Sequence, residues 1–195
     1  MPGKAQSVRT SIMSKLAARN SRRLDGAARD GQTRQTAQGP SPERTMIEIN
    51  GVAHIVLTVS AWDRCRPFYE ALLSFLGLER VFSTDNSLYY VGGRTAVGVG
   101  RCDDAHAAQR FVQGGVGLHH VCFRARSRDD VDGVHRFLLA REAKIVHPPE
   151  EGPWAPGYYS LLFEDPSGVR LEINHVPGKG VLEKGASFNP AGDYD

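Results

Sequence analysis

The apolar positions of this chain follow one pattern twice. Residues 51–59 run Gly51-Val52-Ala53-His54-Ile55-Val56-Leu57-Thr58-Val59, and residues 117–125 run Gly117-Leu118-His119-His120-Val121-Cys122-Phe123-Arg124-Ala125. Short apolar runs of this kind, rich in β-branched residues, read as strands, here over 47–59 and 117–125. Superimposed, they bring His54 onto His120. Each run is followed by a serine able to cap a helix, Ser60 or Ser127, and then by apolar residues at helical spacing. Cys65, Phe68, Tyr69, Leu72, Leu73 and Leu76 form the stripe of a helix within 61–76, stopped at Gly77. Val131, Val134 and Leu138 mark a second helix over 128–141. Pro67 removes a backbone donor inside the first, so its first turn is expected to be irregular or to begin nearer Asp63. Ser127 with Asp130 resembles a capping pair.

Further strands are expected at 78–83, 87–92 and 94–100 in the first copy, and at 143–147, 158–164 and 169–175 in the second. A polar linker with a short helix joins the copies over 101–116. The stretch 148–157 holds too many prolines for a central strand and reads as a loop. Each copy is then β-α-β-β-β, and this repeat organises the chain. One four-stranded sheet with one helix leaves its other face bare. The expected fold is therefore α+β: two paired βαβββ modules forming a curved, mostly antiparallel eight-stranded sheet, with helices outside and a concave ligand-binding face within. The domain covers 46–176, with modules over 47–100 and 117–176, and 177–195 is a tail, either an extended arm or loose.

Composition adds limits. The chain has 195 residues, enough for one domain or for two small modules sharing a core. No apolar run reaches the ~18 residues of a membrane span. Cys65, Cys102 and Cys122 are scattered, which fits neither a disulfide framework nor a thiolate zinc site. Residues 1–45 hold nine of the 24 Lys and Arg but three of the 22 acids, and are poor in aromatics. That segment is expected to be disordered. It reads as a passive tail, as sequence upstream of a true start at Met46, or as a targeting or nucleic-acid-binding tail. The rest of the chain keeps 15 basic and 19 acidic side chains, which gives nucleic-acid binding by the globular part no support. The expected setting is cytoplasmic, with a small-molecule substrate and neither nucleic acid nor membrane as partner.

The candidate chemistry follows from strand alternation. His54 shares a face with Val56 and Thr58, and His120 shares one with Cys122 and Arg124. His119 is expected to point into the helix-facing layer. On the last strand Arg170, Glu172 and Asn174 lie together. Two neutral imidazoles and one carboxylate suit a divalent metal such as Fe or Mn and leave positions open for substrate. Singly, each residue has a plainer use: a strand histidine is commonly a hydrogen-bonded core residue, and a lone glutamate a surface carboxylate. The repeat is what couples them. Tyr158, on the same face as Leu162, is expected to point inward. Arg124 is placed to pair with an anionic substrate or with Glu172. These two are the candidate catalytic residues. Cys122, Trp154, Asn174 and His175 are further candidates for lining the site, with Trp154 either a lid or an apolar plug.

Four stretches carry a resemblance: Gly51-Val-Ala-His54-Ile-Val-Leu, Arg66-Pro-Phe-Tyr69 followed by Leu72-Leu73, Gly117-Leu-His-His120, and Phe163-Glu-Asp-Pro-Ser-Gly-Val-Arg-Leu-Glu172. With them the chain resembles the vicinal oxygen chelate superfamily, which holds glyoxalase I, extradiol dioxygenases, fosfomycin-resistance proteins and bleomycin-binding proteins. The resemblance implies paired βαβββ modules, a homodimer, and a divalent metal (Fe, Mn, Zn or Ni) on His54, His120 and Glu172. It also marks departures. The fourth ligand usual in glyoxalase I falls, by counting from Gly93, on Val97. The tyrosine that extradiol dioxygenases carry ten residues before the glutamate is Leu162 here, and their upstream histidine is missing from the loop Gly152-Pro153-Trp154-Ala155-Pro156. The implied function is a metal-dependent enzyme whose small substrate chelates the metal through oxygens. The alternative is a non-catalytic drug- or metabolite-binding protein of the bleomycin-resistance type.

Overall fold

A computed structural model describes residues 49–188. The basic segment 1–45 lies outside the described residues, as does the end of the tail. The order is β1 (His54–Val59), α1 (Trp62–Phe75), β2 (Glu79–Thr84), β3 (Ser87–Val91), β4 (Ala96–Arg101), β5 (Val121–Arg124), α2 (Arg128–Leu139), β6 (Lys144–Glu151), β7 (Tyr159–Glu164) and β8 (Arg170–His175). Short 3₁₀ turns occupy Asp104–His106 in the linker and Gly180–Leu182 in the tail. The α+β class and the doubled βαβββ unit are as expected. The eight strands are hydrogen-bonded as two four-stranded sheets, β1-β4-β3-β2 and β5-β8-β7-β6. In each, the first strand runs parallel to the last and the other pairings are antiparallel.

The starts of β1 and β5 and the end of β6 differ from the expectation, each for a local reason, whereas α1 has the irregular first turn expected. β1 and β5 begin later, at His54 and Val121, because Gly51 and Gly117 sit at φ 98° and 131° and break the extended chain. β6 runs on through Pro148 and Pro149 to Glu151. It is the edge strand of its sheet, so the missing N–H groups cost no inner pairing, and its register against β7 slips on both sides of His147. α1 begins at Trp62 despite Pro67, its first turn mixing a short bond from Arg64 N with a regular one from Cys65 N, both to the Ala61 carbonyl.

One core runs through both modules. Cys65, Tyr69, Leu72 and Leu73 of α1 and Val131, Val134 and Leu138 of α2 are buried in it, beside Val97 and Val99 of β4 and Leu171 and Ile173 of β8. Phe75 and Phe137 stack between the two helices, centroids 4.1 Å apart. α2 starts at Ser127 with a capping box closed by Asp130. Ser60 does not cap α1; the cap residue is Ala61, with no side-chain bond of its own. Ser167 does this work from the β7–β8 turn, its Oγ accepting from Ser60 N (3.1 Å) and Ala61 N (2.9 Å).

The same turn is built on Asp165, a buried carboxylate. Oδ1 accepts from Ser167 N (2.7 Å) and Val169 N (2.8 Å), and Oδ2 accepts from the Tyr69 hydroxyl (2.8 Å) with the Cys65 thiol at 3.8 Å. Burial raises the Asp165 pKa, and these donors only partly offset it. Burial, with the Asp165 charge adding to it, pushes Cys65 up to about 11 and Tyr69 well above its ordinary value.

Both groups hold their protons more tightly folded than unfolded, so unfolding releases protons at alkaline pH. Their contribution is complete below the unfolded pKa values and is lost as pH rises through the folded ones. We predict that the urea midpoint falls from pH 9 upward, and that Tyr69→Phe flattens the steep part of that fall. At neutral pH the same substitution leaves Asp165 one donor short and is expected to cost about 1–3 kcal/mol, read from the same unfolding curves.

Candidate metal centre

The β7–β8 turn feeds directly into the strand that carries Glu172. On the open face of the second sheet, away from α2, Glu172 stands opposite Cys122 of β5 and Leu162 of β7. The glutamate is 1% exposed. A carboxylate so deeply buried is costly unless donors surround it. Oε1 accepts a 2.5 Å hydrogen bond from the Tyr158 hydroxyl. Oε2 lies 3.1 Å from His120 Nε2 yet has no well-aligned hydrogen bond. Burial works to raise the Glu172 pKa, but the contacts from His120, Tyr158 and Cys122 outweigh it and hold the carboxyl below its ordinary range.

His120 sits one residue before β5, its side chain 20% exposed. Because the strand starts only at Val121, His119 does not enter the helix-facing layer as expected. It is exposed, its Nδ1 lies 2.7 Å from His120 Nδ1, and the Gln113 amide reaches both of its ring nitrogens. A proton on His120 Nδ1, donated to His119, leaves the Nε2 lone pair facing Glu172 Oε2. In the other tautomer Nε2 carries the proton and is the donor toward Oε2; with the proton on Nδ1, two lone pairs lie 3.1 Å apart, a separation that a shared cation would relieve. Ligands about 2.1 Å from one ion at right angles stand about 3 Å apart, so the pair fits a metal. Burial first, and then the Glu172 charge, push the neighbouring Cys122 thiol strongly upward, which disfavours a thiolate ligand.

Tyr158 ends a loop with several constraints. Its amide donates to the Ala155 carbonyl and its carbonyl accepts from Gly152 N, both at 3.0 Å. Trp154 packs on its ring at 5.0 Å. Trp154 is thus a wall behind the tyrosine, closer to the expected plug than to a lid. Arg124 is exposed on the same open face and donates to the Val176 carbonyl at 3.3 Å. Asn174 lies opposite Arg124 and Ser160 on this face, whereas His175 belongs to the alternate face with Leu171 and Ile173, its Nδ1 buried without a hydrogen bond.

The first sheet differs at the matching place. His54 is exposed, on the open face with Val56 and Thr58. Among the described residues, no three His, Cys, Asp or Glu side chains come close enough to hold a metal. One chain therefore joins His120 to Glu172 but does not bring His54 to them. The count that put Val97 opposite Glu172 in the repeat is off by one. β1 pairs Val56 with Gly98 where β5 pairs Cys122 with Glu172. Val97 is buried on the helix side, and the position facing the groove is Gly98. A Cβ there would meet Tyr89 and Val56 at 3.1 and 3.2 Å.

A family model described as the glyoxalase/bleomycin resistance protein/dioxygenase superfamily matches residues 51–173. The chain belongs to this superfamily. Among solved structures, a candidate glyoxalase from Bacillus halodurans is 27% identical, at a TM-score of 0.57, covering 65% of this chain and 96% of that one. A superfamily domain from Frankia sp. EAN1pec, 22% identical at a TM-score of 0.54 over 66% of this chain and 98% of its own, shares the fold. The uncharacterised protein YqjT of Bacillus subtilis (strain 168) is 25% identical over 122 residues, which are 62% of this chain and 94% of that protein. Superfamily membership thus covers both modules, and the residues outside it are the two ends. No helix among the described residues is long and apolar enough to cross a membrane.

The loop behind Tyr158 has a sharp steric requirement. A Cβ on Gly152 would meet the Trp154 ring at 2.0 Å. Gly152→Ala is expected to displace Trp154, shift its fluorescence to the red and destabilise the fold by about 1–3 kcal/mol, checked by emission spectra and denaturant midpoints.

Proposed function

We propose that the protein is a metal-dependent enzyme whose small substrate chelates a divalent cation through oxygens. The observation that carries this reading is the buried Glu172 carboxylate, whose Oε2 is turned toward His120 Nε2 at 3.1 Å with no hydrogen bond between them. His120 and Glu172 would hold the ion, and His54 of a second copy would complete the set. Both open sheet faces support this division. The first carries His54 among exposed Val56, Phe82 and Val91, an apolar surface suited to burial against another chain. The second carries the other two donors. A homodimer joining unlike modules by a twofold axis would contain two such sites.

Nitrogen and carboxylate donors of this kind suit Fe, Mn, Zn or Ni. When bound, such an ion supplies Lewis-acid stabilisation of negative charge on substrate oxygens. The chain's own residues would do the rest. Leu162 and Trp154 keep water from the glutamate side. Arg124, on the same face, offers a guanidinium to an anionic group of the substrate. With Gly98 at the position that matches Glu172, the first sheet has no carboxylate at the equivalent place between its first and last strands. A mechanism with one carboxylate on the groove is therefore favoured over the two-carboxylate scheme of glyoxalase I.

Elemental analysis of purified protein is expected to find about one divalent metal per chain. His120→Ala should abolish that binding, and His54→Ala should weaken it by about 10-fold or more while leaving the chain folded. Sedimentation should show a dimer. Full metal content in His120→Ala would overturn the reading, and tight binding of a drug-like ligand by metal-free protein would favour the non-catalytic alternative.

A further inference from the structure

Tyr158 belongs to no strand and comes from a loop rather than from the sheet that carries Glu172. The sheet itself offers the carboxylate little. Its cross-strand neighbour on β7 is Leu162, which has no donor, and its neighbour on β5 is Cys122, whose thiol is a weak one. The strong donor is the Tyr158 hydroxyl, 2.5 Å from Oε1. With one oxygen engaged in this way, only Oε2 faces His120.

We infer that Tyr158 is a positioning residue that fixes Glu172 as a one-oxygen metal ligand, delivered by a rigid loop over residues 152–158. The inference rests on the metal reading above. A carboxylate with both oxygens free can turn about its terminal bond and embrace an ion with two oxygens, which removes an open coordination position. Holding Oε1 in a hydrogen bond prevents that turn and keeps a position for substrate.

The loop is shaped for this purpose at several points. Gly157 has φ +71°, and a Cβ there would also meet Pro177 at 2.8 Å, so the residue before Tyr158 must be glycine to pass the tail. Gly152 gives Trp154 room to lie flat over it, and Trp154 in turn backs the Tyr158 ring. Ala155 is buried, and the two main-chain bonds between Gly152, Ala155 and Tyr158 close the loop on itself. Tyr158 is itself only 9% exposed. Its hydroxyl is thereby presented to the carboxylate with little freedom to swing toward a substrate, which separates a positioning role from that of a proton donor.

The test uses Co²⁺ as the probe on metal-stripped full-length protein, without substrate. Calorimetry is expected to show Tyr158→Phe binding Co²⁺ about 10–100-fold more weakly than the unsubstituted protein. Its visible Co²⁺ spectrum should change as the carboxylate becomes free to bind through two oxygens. The metal-free thermal midpoint serves as a folding control. If Tyr158→Phe does not fold, Trp154→Ala keeps the hydroxyl but removes its backing, and should give a several-fold loss with the same spectral change. Unchanged affinity and spectrum in the folded variant would overturn the positioning role alone. Failure of the unsubstituted protein to bind Co²⁺, or full binding by His120→Ala, would overturn the metal reading and this inference with it.

Discussion

Asp165 is a carboxylate placed where the two modules meet, and the arrangement of both depends on how its charge is accommodated. Its own turn supplies two backbone donors and the first helix supplies a tyrosine hydroxyl and a thiol. Two residues on, Ser167 takes the amides at the start of that helix. The first module thus lacks a helix cap of its own and takes one from the second. A buried carboxylate stripped of these donors would be strongly unfavourable, so the contact is specific as well as cohesive. The turn it fixes opens the strand that bears Glu172 seven residues later. The orientation of that strand against the core is held by the protein's own hydrogen bonds at this turn.

The two modules are alike in topology and unlike in chemistry. In the second sheet the groove position between first and last strands is filled by a glutamate, and in the first by glycine. The second sheet also has a loop folded against its open face, while the first shows its histidine and several apolar side chains to solvent. On the proposed metal reading, this asymmetry leaves two donors on one module and the third on the other, and the site would be incomplete in a single chain. Association of unlike modules would then both cover the apolar face and add the third imidazole.

Much of this was legible in the residues. Strand alternation and the 3.6-residue stripe gave the order of all eight strands and both helices, because those elements bury one face each. Alternation also groups Cys122 with His120 and Glu172 with Asn174 along their own strands, and it takes the pairing of β5 with β8 to set Cys122 beside Glu172. Local pattern misleads where tertiary context overrides it. Ser60 looked like a cap, but the cap came from Ser167, more than a hundred residues away. Pro148 and Pro149 looked like the end of a strand, but an edge position tolerates them. Counting from a glycine turn points to Val97, whereas the pairing register puts Gly98 at the groove position. Alternation gives His119 a strand face, whereas the chain is not yet extended there. Its contact with His120 could have been suspected only from two adjacent imidazoles following a flexible glycine.

Tyr158 shows why side-chain identity at a strand position is a weak guide to chemistry. The residue directly across from Glu172 is a leucine, and from the strand alone the carboxylate has lost its hydroxyl neighbour. The hydroxyl is restored from a loop four residues earlier, in which Gly152 leaves room for Trp154 and Trp154 packs on the tyrosine ring. The requirement was for a donor at one oxygen of a buried carboxylate, and several backbone routes can satisfy it. What must be kept is the asymmetry between the two oxygens of Glu172, one engaged by the protein and one left facing the imidazole. On the proposed metal reading, that asymmetry would make a buried acid, costly to the fold on its own, a directed ligand.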